Sequence, residues 1–198
     1  TVAVKGYGMY REAMDSVSLE DKVASIRAKE NYTTFDQLPE IYVDAVLSVE
    51  DHRFYNHPGI DVIAIGRAVF NDIKAGAFVE GGSTVTQQLA KNMYFSQEKE
   101  LVRKVAEVLV AFDLERNYSK NEILELYVNT IYYGNGYYCV KDESTLLAGI
   151  PNAPSCYAPT VSQELAARRQ QQVLDRLVKC GYFTEERALE TMAVGSSR

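Results

Sequence analysis

Helix-capping signals recur along this chain, and they restrict it to a mainly helical fold. A capping residue or a helix-starting proline stands before a stretch of helical spacing at Ser18, Pro39, Ser119, Ser162 and Thr184. The helix after Ser162 is expected to end near Gly181. Strand signals are few, because only the ambiguous region 132–138 offers an Asn-Gly turn between apolar residues. The sequence therefore predicts a mainly α fold without internal repeats.

The length and charge of the chain exclude several classes of protein. A chain of 198 residues corresponds to about one domain, so we predict a single domain over residues 1–198. The net charge of −6 argues against nucleic acid as a partner. Three cysteines and two histidines form neither a disulfide framework nor a zinc-binding pattern. The sequence contains no run of 18 apolar residues to span a membrane, and its start does not read as a complete signal peptide.

Three dense polar blocks lie at residues 50–59, 81–92 and 103–107. A stable fold does not need carboxylates, amides, hydroxyls and cations at such density. A site for a sugar and a pyrophosphate does need them, since carboxylates transfer protons and cations bind phosphate oxygens. These blocks are therefore the candidates for a functional site.

The second block has the pattern of a capped helix start. Two glycines and a Ser-Thr pair precede the helix, and Gln87 and Lys91 lie one turn apart on a shared face. The unpaired N–H groups and the dipole of such a helix start attract anions. From spacing alone, an ordinary capped surface helix is an equal alternative.

The third block forms a stripe on a predicted helix. Lys99, Arg103 and Glu107 recur every four residues, and Lys104 stands beside them. Such a stripe is commonly an exposed face with salt bridges, which is the alternative to a phosphate site. The opposite flank is expected to pack through Leu101, Val105, Val108 and Phe112.

Residues 60–78 are rich in Ile, Val, Ala and Phe, and Ile63, Arg67 and Phe70 share one helical face. One interpretation is a core helix followed by a loop. The other is a small apolar lobe that enters a membrane interface, with Val69 and Phe78 as further apolar members.

The three blocks, and a fourth at residues 120–129, resemble the motifs of peptidoglycan glycosyltransferase family 51. This family is the transglycosylase module of class A penicillin-binding proteins and of monofunctional transglycosylases. The likeness covers residues 30–160 in the right order and includes the string Gly-x-Ser-Thr-x-Thr-Gln-Gln-x-x-Lys-Asn at 81–92. It implies a lysozyme-like helical domain with a small membrane-proximal jaw lobe at about residues 60–80. It also implies an N-terminal membrane anchor, which we expect just upstream of Thr1 and outside residues 1–198.

The resemblance implies roles for individual residues. Glu50 would be the general base for the 4-hydroxyl of an acceptor sugar, which requires a raised pKa in a partly dry cleft. Glu107 would be the second catalytic carboxylate and could bind a divalent cation, Mg²⁺ or Mn²⁺; no organic cofactor is implied. Substrate contacts would come from Asp51, Phe54, Gly82, Ser83, Thr84, Gln87, Gln88, Lys91, Asn92, Lys99, Arg103 and Lys104. Structural residues near the site would be His57, Glu125, Tyr127 and Asn129.

The chain departs from the family pattern in two places. Lys99 stands where the family usually has arginine, so a point charge replaces a bidentate phosphate contact. About fifteen residues of the family pattern are absent after Val140, so the resemblance implies no substrate contact from that segment.

The function implied by the resemblance is polymerisation of lipid II into β-1,4 glycan strands, with inversion and release of undecaprenyl pyrophosphate. The alternatives are a glycan-cleaving hydrolase or lytic enzyme, and an inactive scaffold that binds lipid II. A transpeptidase is disfavoured, because Ser96-x-x-Lys99 is followed by no Lys-Thr-Gly.

Partners and location follow from the same resemblance. The implied partners are lipid II, the nascent glycan chain, the membrane surface, moenomycin-type phosphoglycolipid inhibitors and other cell-wall synthesis proteins. The implied location is the bacterial cell membrane, with the catalytic domain on its extracytoplasmic face.

Overall fold

A computed structural model describes residues 1–75, 82–95, 100–131 and 163–195 of the chain. These residues form α-helices and two short 3₁₀ helices, at Phe35–Gln37 and Phe54–Asn56, without a strand. The α-helices are α1 (Val2–Ser16), α2 (Leu19–Arg27), α3 (Glu40–Glu50), α4 (Val62–Ala75), α5 (Val85–Tyr94), α6 (Glu100–Asn117), α7 (Lys120–Val128), α8 (Gln163–Lys179) and α9 (Glu185–Gly195). The prediction of a mainly α fold is confirmed; α1 was not predicted.

The predicted helix starts that fall on described residues carry the expected caps. The Ser18 side chain accepts a hydrogen bond from the backbone N–H of Asp21, and Ser119 forms a capping box with Glu122. Pro39 is the residue before α3, and Thr184 accepts a hydrogen bond from a backbone N–H of α9. The C-terminal end of α8 is followed by Gly181 in the left-handed region. Ser162 lies outside the described residues.

The chain divides into two compact units. The first contains residues 1–30 and 53–130, and the second contains residues 31–52 and 131–198. Each unit has its own buried apolar residues, as described below. The single-domain prediction stays a prediction.

In the first unit, α6 packs against α1 and α5, and α5 packs against α7. The buried stripe of α6 runs through Ala106, Val110 and Leu114. The predicted packing flank was therefore wrong at its first member, because Leu101 is 72% exposed. A Cβ atom at Gly6 of α1 would lie 2.5 Å from the Cβ atom of Val105, so the two helices approach closely there.

In the second unit, α8 packs against α3 and α9. Its core consists of Ala45 from α3, of Val173, Leu174 and Leu177 from α8, and of Phe183. This core fixes the helix that ends at Glu50.

Helix α4 exposes an apolar surface. Val62, Ile63, Phe70 and Ile73 are between 56% and 77% exposed. The exposure of Ile63 and Phe70 contradicts a core helix at these positions and leaves the alternative of an apolar contact surface. The side chain of Val69 and all of Phe78 lie outside the described part, so a separate jaw lobe stays a prediction. None of the described helices combines the length and the apolar character needed to cross a membrane.

Candidate active site

A buried carboxylate organises the cations of the third block. Glu107 is 2% exposed, and each of its oxygens accepts a hydrogen bond from a positive side chain. Arg103 Nε donates to Oε1 at 2.8 Å, and Lys104 Nζ donates to Oε2 at 3.0 Å. Charge-assisted bonds of this kind hold both partners in defined positions. Three members of the predicted stripe, Arg103, Lys104 and Glu107, therefore form a specific cluster.

The cation cluster reaches the second block through Ser83. Lys104 Nζ also donates to Ser83 Oγ at 2.6 Å, just before the start of α5. The Lys104 side chain is 41% exposed, so it is not enclosed in the core. Lys91 and Asn92 on α5 are exposed, and Gln88 is half-buried. The structure thus brings Ser83 together with Arg103, Lys104 and Glu107, while Lys99 and Gly81 lie outside the described residues.

Other predicted ligand residues are used inside the fold. Thr84 and Gln87 are each 2% exposed and form the capping box of α5. The Thr84 hydroxyl also donates to the backbone oxygen of Gly59 at 2.6 Å. Phe54 has no exposed surface. Direct ligand contact by these three side chains stays a prediction, and their contacts favour a supporting role.

A Cβ atom at Gly82 would meet Ile65 and Ala68 at ordinary van der Waals distances of 3.6–3.8 Å. Neighbouring atoms therefore do not require a glycine there. Its role in giving a ligand room stays a prediction.

Asp61 links the first block to α4. Its Oδ1 accepts hydrogen bonds from the N–H groups of Ile63 and Ala64, both at 3.0 Å, and its Oδ2 lies 3.1 Å from Arg53 Nε. Burial alone would raise the pKa of Asp61, but the Ala64 N–H, the Arg53 charge and the Ile63 N–H together lower it. Asp61 is therefore a charged helix cap at neutral pH. We did not predict it from the sequence, although Asp before an apolar helix is a recognisable signal.

A second set of contacts was also missed. Thr86 and Lys120 both donate to Glu115 Oε1, at 2.6 and 2.7 Å. Lys120 also donates to the backbone oxygen of His57 at 2.7 Å. His57 is buried, and its Nδ1 accepts from the Gly59 N–H at 3.2 Å, so it acts here as a hydrogen-bonding residue. Thr86 and Lys120 lie in motif strings, whereas no sequence signal singled out Glu115.

The fourth block supports the second. Tyr127 has no exposed surface and donates to Gln88 Oε1 at 3.1 Å, which joins α7 to α5. Asn129 is the C-cap residue of α7, and its side-chain amide donates to the backbone oxygen of Glu125 at 2.8 Å. These contacts are consistent with the architectural role expected for this block.

Glu50 is the last residue of α3, in the second unit. It is half-buried, and the neighbouring Asp51 is 7% exposed. The Ser48 carbonyl in this last turn accepts a hydrogen bond from Arg176 Nε of α8 at 3.1 Å. Carbonyls at a helix end have no partner within the helix, so Arg176 satisfies one of them. The helix end that carries Glu50 is thereby tied to α8.

Replacing Arg176 with Met should loosen the end of α3. The loss of one charged hydrogen bond is expected to lower the free energy of unfolding by about 1–2 kcal/mol. Chemical denaturation measures this change. The matched control is Arg168→Met on the same helix, because the Arg168–Glu164 pair is more than two-thirds exposed and should contribute little. Equal decreases in the free energy of unfolding for the two variants would show that the Arg176–Ser48 bond stabilises the protein no more than an exposed ion pair.

The surroundings of Glu107 do not fit a divalent cation. Positive side chains already occupy both of its oxygens, and a metal ion at either would be repelled. No cluster of three or more His, Cys, Asp or Glu side chains that could hold a metal ion occurs among the described residues. A divalent cation stays a prediction from the sequence.

Comparison with known proteins identifies relatives over most of the chain. A family model described as Transglycosylase matches residues 19–145. Penicillin-binding protein 1F of Bacillus subtilis (strain 168) is 40% identical over 85% of this chain, with 26% of its own length covered. Penicillin-binding protein 1A of Aquifex aeolicus (strain VF5) is 41% identical over 83% of this chain, with 25% of its length covered. Penicillin-binding protein 1A of Neisseria flavescens is 41% identical over 79%, with 22% covered. The chain spans about a quarter of the length of these curated relatives.

Proposed function

The chain belongs to the transglycosylase family, and from this premise we propose that it is a peptidoglycan glycosyltransferase that polymerises lipid II. The product is a β-1,4-linked glycan strand, and undecaprenyl pyrophosphate is released with inversion at the anomeric carbon. The observation that carries this proposal is the joining of Ser83, Arg103 and Lys104 around the buried Glu107. A hydroxyl and two held cations are suited to a pyrophosphate, which a glycan hydrolase does not have to bind.

The reaction assigns one task to each group. The Glu50 carboxylate takes the proton of the acceptor 4-hydroxyl, whose oxygen forms the new bond to C1 of the donor MurNAc. The bond from C1 to the pyrophosphate oxygen breaks, and the leaving group departs with the electron pair. Arg103 and Lys104 stabilise the charge that develops on it. No step is assigned to a metal ion.

The experiment is polymerisation of detergent-solubilised lipid II by the purified protein. We expect a polymer that a muramidase digests, together with release of undecaprenyl pyrophosphate. Cleavage of preformed glycan strands without polymer formation would support the hydrolase alternative. Binding of lipid II without any turnover would support the scaffold alternative.

Location and further partners are part of this proposal. A lipid-linked substrate places its sugars at the membrane surface, so the protein works at the extracytoplasmic face of the bacterial membrane. Moenomycin-type phosphoglycolipids would compete for the same cations, because they also combine a phosphate with sugars. Other cell-wall synthesis proteins are proposed partners.

Helix α4 supplies the apolar contact with the membrane in this proposal. Changing Ile63 and Phe70 together to Ser should weaken liposome binding by a few kcal/mol, at about 25 cal/mol for each Å² of apolar surface. Polymerisation of membrane-embedded lipid II should fall with it, while activity on a short-chain soluble analogue should change little. Liposome co-sedimentation and both activity assays measure these effects.

The matched control is Leu189→Ser, since Leu189 is an exposed apolar residue on α9, 68% accessible to solvent. It should leave liposome binding unchanged. If the Ile63/Phe70 variant binds liposomes like the unchanged protein while both activities fall, α4 is not the membrane contact.

A further inference from the structure

Lys120 makes three contacts with groups of different kinds in the first unit. Its Nζ donates to Glu115 Oε1 and to the His57 backbone oxygen, both at 2.7 Å. The same ammonium lies 4.4 Å from the ring centroid of Phe54. Only 20% of the Lys120 side chain and 11% of the Glu115 side chain are exposed. This ion pair is therefore well shielded and geometrically defined, unlike an ordinary surface pair.

The placement of the two charges is costly when each helix is considered alone. Glu115 lies in the last turn of α6, where the helix dipole disfavours a negative charge. Lys120 is the first residue of α7, where the dipole disfavours a positive charge. Helix stability by itself would favour the opposite signs at both positions. The pair needs another explanation, and its remaining contacts supply one.

Those contacts connect the polar blocks. Glu115 receives the Thr86 hydroxyl from the first turn of α5, and Lys120 holds the carbonyl of His57. Thr84 then donates to the carbonyl of Gly59. The segment 57–59 is thus attached to the start of α5 twice, directly through Thr84 and indirectly through the ion pair.

Gly59 lets the segment 57–59 pack closely against α6. Its φ of +93° is a conformation that side chains rarely adopt. A Cβ atom there would lie 3.1 Å from Glu115 Cγ and 3.3 Å from the Ala111 carbonyl oxygen. The backbone of the first block therefore lies directly against α6 at the point where Glu115 binds Thr86.

We propose that Glu115 and Lys120 are a positioning pair for the transglycosylase reaction. The pair acts through Thr86 and the His57 carbonyl, and it fixes the start of α5 so that Ser83 meets Lys104. Neither residue contacts substrate. This inference rests on the proposed function for its catalytic consequence, whereas the local ordering of residues 83–86 does not depend on it.

The test uses Glu115→Gln, Lys120→Met and the double variant. Each single change should lower kcat/KM for lipid II polymerisation by about tenfold or more, because a buried charge is left without its partner. The double variant should be no worse than the poorer single variant, since the two residues act as one unit. Amide hydrogen exchange at residues 83–87 should become faster in both single variants.

The matched control is Arg27→Gln. It breaks the ion pair between Arg27 of α2 and Glu122 of α7, the helix that carries Lys120, and both side chains of this pair are about 40% exposed. This variant should keep the polymerisation rate and the exchange at residues 83–87. The proposal is overturned if the fold decrease in kcat/KM of the double variant equals the product of the fold decreases of the two single variants. It is also overturned if exchange at residues 83–87 is unchanged in the single variants. If the unchanged protein makes no polymer, the proposed function fails, and the exchange data still decide the positioning role.

Discussion

Replacing Glu50 with Gln is expected to lower the rate of lipid II polymerisation by about 100-fold or more. Glutamine has nearly the same shape and can still accept a hydrogen bond, but it cannot take the proton of the acceptor hydroxyl. Glu50 is half-buried at the end of α3 and does not belong to the apolar core between α3 and α8. The fold should therefore be unchanged, and the loss should lie in kcat.

The matched control for this variant is Glu40→Gln at the other end of the same helix. Glu40 is exposed in the first turn of α3, where its charge contributes a few tenths of a kcal/mol through the helix dipole. The Glu40→Gln variant should polymerise lipid II at the wild-type rate. If Glu50→Gln retains more than about a third of that rate, Glu50 is not the base.

The helices could be predicted from the sequence because their start signals are local. A serine cap and its partner three residues later determine a helix start without reference to the rest of the chain, as at Ser18 and Ser119. The membership of the family was equally accessible, since it rests on motif strings rather than on contacts. The matching relatives and the family model confirm it.

The contacts between blocks could not be predicted, because they depend on how the helices pack. Helix α1 approaches α6 closely at Val105, whereas Leu101 of α6 is exposed although its spacing suggested packing. The same limitation applies to Glu115, whose partners come from α5 and α7. The spacing of residues along the sequence shows which of them share a helix face. It does not show which other helix packs against that face.

The motif strings also did not separate side chains that can meet a ligand from those that build the site. Thr84 and Gln87 belong to the same string as Ser83 and Lys91, yet their polar groups form the α5 cap. A helix start that binds an anion must itself be held in place. The same motif string therefore contains residues that can contact a ligand and residues that hold the helix start in place. Only the burial of each residue distinguishes the two kinds.

Replacing Glu107 with Gln should lower kcat/KM for lipid II by about 100-fold. Charge-assisted hydrogen bonds contribute about 1.5–3 kcal/mol each, and a factor of ten corresponds to about 1.4 kcal/mol. The amide can accept a bond from Arg103 or Lys104, but its NH₂ group repels the other cation. The cations are then no longer held for the leaving pyrophosphate. Lipid II polymerisation and the affinity for a moenomycin-type phosphoglycolipid should both decline.

Loss of the fold is the competing explanation for such an effect, and a variant on the same helix separates the two. Asp113 of α6 accepts a hydrogen bond from Tyr10 at 2.6 Å, so Asp113→Asn weakens packing against α1 without touching the cation cluster. Lys104 is 41% exposed and keeps its bond to Ser83, so solvent can screen its charge in Glu107→Gln. The introduced amide oxygen can still accept the bond from Arg103, so the variant should fold. Asp113→Asn should lower the melting temperature while keeping the polymerisation rate. If Glu107→Gln instead loses activity only in proportion to its melting temperature, Glu107 supports the fold and does not orient the cations.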